Sequence, residues 1–287
     1  EKIKSKKIKV VVDAVNSTGG LIVPDFLEEL NIEVIKLYCE PNGDFPHNPE
    51  PLKKNLTELS KKVIECNADL GIAVDPDVDR LVFVCEDGEL FGEENTLVAC
   101  ADYVLSKTPG STVSNLSSSR ALNDITKKHN QVHYYSAVGE VNVVDKMKKC
   151  KAVIGGEGNG GVIYPKSHYG RDSIVGIGLF LSLYVERGLI ASKLLETYPK
   201  YFMVKEKINL SPSLDVDNIL GQIAEKYKNE NIDLVDGVRI DFKDSWVQLR
   251  KSNTEPIIRI YSEAKNMSEA QNLIKEIESL LQEIISL

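Results

Sequence analysis

Lys7-Ile8-Lys9-Val10-Val11-Val12-Asp13 is a β-branched run that leads into Asn16-Ser17-Thr18-Gly19-Gly20. This stretch decides the fold class. Valine and isoleucine suit a pleated, covered surface, and a glycine turn after them lets the chain reverse into a helix, expected near Leu21–Leu30. Working outward, Glu33–Tyr38 reads as a second strand and Asn42–Pro51 as a turn-rich loop with three prolines. Leu52–Cys66 carries Leu56, Leu59, Val63 and Ile64 at helical spacing. Leu70–Val74 and Leu81–Cys85 are short apolar strands on either side of an acidic loop, and Glu94–Ser106 reads as a helix. Strands that alternate with helices predict a mostly parallel sheet covered by helices.

The rhythm restarts after Thr108-Pro109-Gly110 with strand Thr112–Asn115, helix Arg120–His129, strand Gln131–Tyr135, helix Val141–Cys150 and strand Ala152–Gly155. Helices Ser173–Arg187 and Ala191–Tyr198 complete this second α/β unit. From Tyr201 the pattern changes. Lys205–Leu210, Gly237–Phe242, Trp246–Lys251 and Ile257–Ser262 read as antiparallel strands, and Asp215–Asn229 and Ser268–Ser286 as amphipathic helices. The expected fold is therefore two three-layer α/β domains with mostly parallel mixed sheets (1–107 and 108–201), then a smaller α+β domain with an antiparallel sheet (202–287).

A chain of 287 residues with 42% hydrophobic and 27% charged residues has the make-up of a soluble globular protein of two or more domains. No apolar run approaches the roughly 20 residues that span a bilayer, so a membrane partner is not expected. The net charge of −8 argues against nucleic acid, which demands a basic face. The five cysteines (Cys39, Cys66, Cys85, Cys100, Cys150) are odd in number and fit neither a zinc nor a disulfide pattern, which favours reduced thiols and a cytoplasmic setting. Glu1–Lys9 is a short charged lead that reads as the start of a piece of a longer chain.

Asp75-Pro76-Asp77-Val78-Asp79-Arg80 is the most informative loop. Three carboxylates at alternate positions would repel one another if they converged without a cation. A hard divalent ion such as Mg²⁺, which prefers oxygen ligands in octahedral geometry, would relieve that repulsion. The alternatives are a solvated acidic turn and a calcium loop. Asp75, Asp77, Asp79 and Glu86 do fall at EF-hand positions, but Arg80 stands where the turn requires glycine, and strands flank the loop where helices are needed.

Two further loops carry chemistry. Gly155-Gly156-Glu157-Gly158-Asn159-Gly160-Gly161 combines backbone that a ligand can approach closely with an acceptor and an amide suited to sugar hydroxyls. Its spacing is not a dinucleotide fingerprint, and no Gly-Lys-Ser/Thr follows it. Arg250-Lys251-Ser252-Asn253-Thr254-Glu255-Pro256 joins two expected strands and offers a planar guanidinium, hydroxyls and an amide to phosphate oxygens.

Taken together, these loops resemble those of the α-D-phosphohexomutases (phosphoglucomutase, phosphomannomutase, phosphoglucosamine mutase), in the family's order and over essentially the whole chain. The acidic loop resembles the Asp-Gly-Asp-Gly-Asp-Arg metal loop, with Pro76 and Val78 in place of both glycines. The glycine-rich loop resembles the sugar-specificity loop, usually Gly-Glu-x-Ser-Gly-His, with Asn159 for serine and Gly161 for histidine. The third is nearly letter for letter the family's Arg-x-Ser-Asn-Thr-Glu-Pro loop. The resemblance implies a reaction and a set of roles. The reaction interconverts a hexose or hexosamine 1-phosphate and 6-phosphate through a phosphoserine and a bisphosphate. Asp75, Asp77 and Asp79 would hold Mg²⁺, with Arg80 beside the transferring phosphoryl group. Glu157 and Asn159 would read the sugar, and Arg250, Ser252, Asn253, Thr254 and Arg259 would hold the non-reacting phosphate. The three domains correspond to the family's second, third and fourth.

The serine loop of the family's first domain has no match here. Phe45-Pro46-His47-Asn48-Pro49 has proline where the nucleophile would stand, and Ser117-Ser118-Ser119 lacks an adjacent base or metal pattern and reads as a strand-to-helix turn. The chain is therefore expected to need the first domain of the same polypeptide as partner and to be inactive by itself. The alternative is a non-catalytic phosphosugar-binding module. Glucosamine, mannose and glucose phosphates all stay open as substrates, and the Glu-Gly-Asn-Gly-Gly variant favours glucosamine phosphate.

Overall fold

In the computed structural model, which describes residues 1–209, 211, 214–252 and 257–285, Val10–Asp13 are fully covered. Strand β1 (Lys9–Asp13) lies between two parallel neighbours, β2 (Glu33–Leu37) and β3 (Leu70–Val74). β3 then pairs antiparallel with β4 (Leu81–Cys85), giving the order β2-β1-β3-β4. All ten residues of β3 and β4 are buried, which is why they read as continuous apolar runs and not as alternating strands. Helices α1 (Gly19–Glu29) and α2 (Thr57–Glu65) form the crossovers, and a short 3-10 turn at Lys53–Asn55 precedes α2. Leu56, Leu59 and Val63 bury against Val11, Ala73, Val82 and Val84.

After α3 (Glu93–Lys107) the same wiring recurs. The elements are β5 (Thr112–Asn115), α4 (Ala121–Lys128), β6 (His133–Ser136), α5 (Glu140–Cys150), β7 (Ile154–Glu157) and β8 (Gly161–Ile163). The strand order is β6-β5-β7-β8, with β5 parallel to β7 and β7 antiparallel to β8. The β3–β4 connection in the first sheet and the β7–β8 connection in the second are thus topological equivalents, and they are the acidic loop and the glycine-rich loop. Helices α6 (Ser173–Arg187) and α7 (Ala191–Leu195) follow.

Residues 1–135 and 139–199 form one compact unit. Within it Phe83 of β4 stacks on Phe180 of α6 at 3.7 Å, and Phe91 meets Phe180 edge-on at 5.1 Å. The Phe180 side chain is fully buried. Phe180→Ala would open a cavity between α6 and β4 and is expected to cost about 3–5 kcal/mol. Urea unfolding of the pair of chains measures that difference.

The second unit holds residues 136–138 and 200–287. Its elements are β9 (Phe202–Asn209), α8 (Val216–Lys226), β10 (Asn231–Asp233), β11 (Val238–Asp241), β12 (Trp246–Lys251), β13 (Ile257–Ala264) and α9 (Met267–Ile285). The antiparallel order is β10-β11-β12-β13-β9. Alternate residues Val238, Ile240, Val247, Leu249, Ile258 and Ile260 join Ile219, Ile223, Ile277 and Leu281 of the helices in one core, so the opposite face of the sheet carries the polar residues between them. The expected α/β sheets and C-terminal antiparallel sheet are all present. β8 and β10 were not anticipated; each is three residues long, one in a glycine-rich and one in a polar stretch.

Candidate functional site

Asp75 closes β3 and is 6% exposed. Its Oδ1 accepts the backbone N–H of Asp79 (3.1 Å) and Arg80 (3.0 Å), which wraps the loop around the carboxylate. Ser17 and Thr18 donate to the Pro76 carbonyl (2.9 and 2.7 Å), tying the loop to the turn before α1. Val78 sits at φ 61, a left-handed conformation in which a β-branched residue is an outlier. The loop therefore keeps a glycine-type backbone although valine occupies the position, at a cost of order 1–3 kcal/mol. The Val78 carbonyl is in turn bound by the N–H of Ser173 (3.0 Å), at the start of α6.

This geometry brings carboxylate oxygens of Asp75, Asp77 and Asp79 within 4.8 Å of one another. Burial pushes the Asp75 carboxyl up to about 7; the backbone N–H of Arg80 opposes this, and the Asp79 and Asp77 charges add to it. Asp79 Oδ1 is buried without a hydrogen-bond partner. A hard divalent cation fits this set, because it takes oxygen ligands and removes the repulsion.

A carboxyl that titrates higher folded than its unfolded value of about 3.9 binds protons more tightly in the folded state. Its stabilising contribution is full below that value and is lost as pH rises through about 7. In chelator, Asp75→Asn is thus expected to gain thermal midpoint over the parent as pH rises from about 4 to about 7. A difference that stays flat across that window contradicts the assignment.

Arg80 is one-third exposed, with Nε 3.5 Å from Asp75 Oδ2 and 3.8 Å from Asp79 Oδ1, and Nη1 3.6 Å from Glu50 Oε1. It lies beside the triad. His47 Nε2 lies 3.0 Å from the buried Asp13 carboxylate at the end of β1, so the proline-rich loop is anchored at the same sheet edge.

The glycine-rich loop meets the acidic loop directly: the Gly160 carbonyl accepts from Leu81 N (3.1 Å). Gly160 has φ 89, and a Cβ there would come 2.4 Å from the Leu81 carbonyl, so no other residue fits. Glu157 is 5% exposed. Its Oε1 accepts from Asn115 Nδ2 (2.7 Å) and Gly139 N (3.1 Å), and its Oε2 from Arg171 Nη1 (3.1 Å). Asn159 Oδ1 accepts from Gly161 N (3.2 Å), which leaves its amide N–H₂ for other acceptors. Ser118 and Ser119 are buried, Ser118 bridging Asn115 and Gly158 N, as suits a structural turn.

Arg171 was not among the expected site residues. Its Nη2 binds Asp79 Oδ2, its Nη1 binds Glu157 Oε2, and its Nε lies 3.4 Å from Glu140 Oε2. Asn115 and Glu140 were likewise missed. All three lie outside the loops themselves, in segments whose approach is set by tertiary packing, and the one local signal was an arginine placed just before Asp172, the N-cap of α6.

In the second unit, register places Arg250 of β12 opposite Arg259 of β13, and Arg259 opposite Lys207 of β9. Residues directly opposite share a face, so three cations line up across three strands, an arrangement that favours an anion. Arg250 Nε is buried without a hydrogen-bond partner. Ser252 N donates to the Ile257 carbonyl (3.0 Å) and closes the hairpin. Asn253 and Thr254 lie outside the described residues. All five cysteines are unpaired, and no described helix is long and apolar enough to cross a membrane.

Residues 1–88 match phosphoglucomutase/phosphomannomutase alpha/beta/alpha domain II, residues 93–201 domain III and residues 207–280 the C-terminal domain. A phosphoglucomutase/phosphomannomutase of Thermococcus kodakarensis is 36% identical over 99% of this chain and 63% of its own length. A phosphoglucosamine/phosphogalactosamine mutase of Sulfurisphaera tokodaii is 33% identical over 98% of this chain and 63% of its own length. The chain thus spans less than two thirds of these relatives. The crystal structure of a phosphoglucomutase/phosphomannomutase family protein from Burkholderia thailandensis superimposes with a TM-score of 0.87 at 25% identity, over 98% of this chain and 63% of that one. Successive domain matches that together account for most of the chain establish that it belongs to the phosphoglucomutase/phosphomannomutase family.

Proposed function

We propose that this chain supplies the metal-, sugar- and phosphate-holding parts of a phosphohexose mutase, in three modules at 1–107, 108–201 and 202–287. In that reaction a phosphoryl group passes from a phosphoserine to the free hydroxyl of a hexose or hexosamine monophosphate. The bisphosphate turns end for end, and the other phosphoryl group returns to the serine. The serine belongs to a domain outside these residues.

The observation that carries this reading is the convergence of Asp75, Asp77 and Asp79 beside Glu157, joined through Arg171 within one compact unit. Asp75, Asp77 and Asp79 hold Mg²⁺, which when bound supplies positive charge against the phosphoryl oxygens. Arg80, partly exposed beside the triad, adds a donor fork for the same group. Glu157 and Asn159 orient the sugar hydroxyls. Arg250, Ser252, Asn253, Thr254 and Arg259 hold the phosphate that is not reacting. Positioning of this kind supplies much of the rate in phosphoryl transfer.

Phosphorus NMR of glucosamine, mannose and glucose 1-phosphates, each primed with its 1,6-bisphosphate, tests the reading. The polypeptide extended by its serine domain is expected to form 6-phosphates, fastest from glucosamine phosphate, and residues 1–287 alone to form none. Turnover by residues 1–287 alone would place the nucleophile inside this chain.

A further inference from the structure

Arg171 is held as a built element. Its backbone N–H donates to Glu140 Oε1 (3.0 Å), and the next residue, Asp172, caps α6 by accepting from Val175 N (3.0 Å). Its side chain is 15% exposed and touches three acids from three segments: Asp79 in the acidic loop, Glu157 at the end of β7 and Glu140 at the start of α5. The stem of this arginine runs past Gly161, where a Cβ would come 2.4 Å from Arg171 Cδ. Glycine at 161 is therefore what makes room for the guanidinium. Asp79 uses Oδ2 for Arg171, while its Oδ1 is buried and without a hydrogen-bond partner on the side of Asp75 and Arg80.

We propose that Arg171 is a positioning residue for the metal centre: it grips one oxygen of Asp79, anchored from behind by Glu157, and so presents the other oxygen to the divalent cation. This inference rests on the metal reading of the aspartate triad given above. A planar fork can bridge two carboxylates in fixed geometry, which a lysine ammonium cannot do. Partners that orient a metal ligand govern affinity although they never touch the ion. The sign of the effect separates positioning from mere proximity. Arg171 is a cation near a cation site, so simple electrostatics predicts that removing it tightens metal binding. Positioning predicts the reverse.

The test is Mn²⁺ affinity of the 287-residue chain, measured by electron paramagnetic resonance titration, for the parent and for Arg171→Met, Arg171→Lys and Gly161→Ala, with thermal melts alongside. Arg171→Met is expected to weaken Mn²⁺ binding about 10-fold or more. Arg171→Lys is expected to weaken it although the charge remains. Gly161→Ala is expected to do the same with the guanidinium present but displaced, and it decides the question if both Arg171 variants fail to fold. Unchanged or tighter binding in folded variants overturns the positioning role while leaving the metal site intact. A parent chain that binds no Mn²⁺ overturns the metal reading, and the inference with it.

Discussion

Asp77→Ala is expected to lower the Mn²⁺ affinity of this chain about 100-fold or more while leaving its thermal midpoint nearly unchanged. Loss of a direct oxygen ligand exceeds the 10–100-fold typical of a supporting residue. Of the three aspartates Asp77 is the exposed one, and exposed substitutions away from packed features shift stability by about 0.5 kcal/mol or less. Isothermal titration with Mn²⁺ and a melt in chelator separate the two effects. Asp75 is a poorer probe, because its side chain also organises the loop backbone through Asp79 N and Arg80 N.

Arg250→Met carries the second large effect. A half-buried arginine whose Nε is covered and without a hydrogen-bond partner, in register with Arg259 and Lys207, offers an anion a fork of donors on a cationic face. Removing it is expected to weaken binding of glucose 1-phosphate by about 2 kcal/mol or more, roughly 30-fold. The stability of the unliganded chain is expected to shift by about 0.5 kcal/mol or less, because Arg250 is only half-buried near the end of β12. Titration calorimetry and urea unfolding read the two quantities. A large loss of stability without loss of affinity would make Arg250 a structural residue.

How much of this was legible in the sequence depended on how local each signal is. β3 and β4 were read to the residue, since strands covered on both faces are continuous apolar runs with sharp polar ends. The acidic loop announced itself by charge alone, because three alternate aspartates have few other uses. Helix ends at Lys107, Lys128 and Ile285 fell within one or two residues of expectation, the usual uncertainty where terminal turns fray.

Arg171 could not be read this way. Its function arises because two equivalent β-β connections from successive sheets meet, as the bond from Leu81 N to the Gly160 carbonyl shows, and that meeting is a tertiary relation. Lys207 joined Arg250 and Arg259 only once β9 paired with β13, a contact between segments some fifty residues apart. The departures from the family loops are also explained by neighbours. Val78 adopts the backbone that glycine would provide, and Gly161 clears space for the Arg171 stem.

The most direct test of the central claim is anomalous diffraction from crystals of this chain soaked in Mn²⁺. A manganese peak enclosed by the carboxylates of Asp75, Asp77 and Asp79 is the predicted result. A chain that binds Mn²⁺ with its strongest peak elsewhere, or one with no peak among these three side chains, would contradict it.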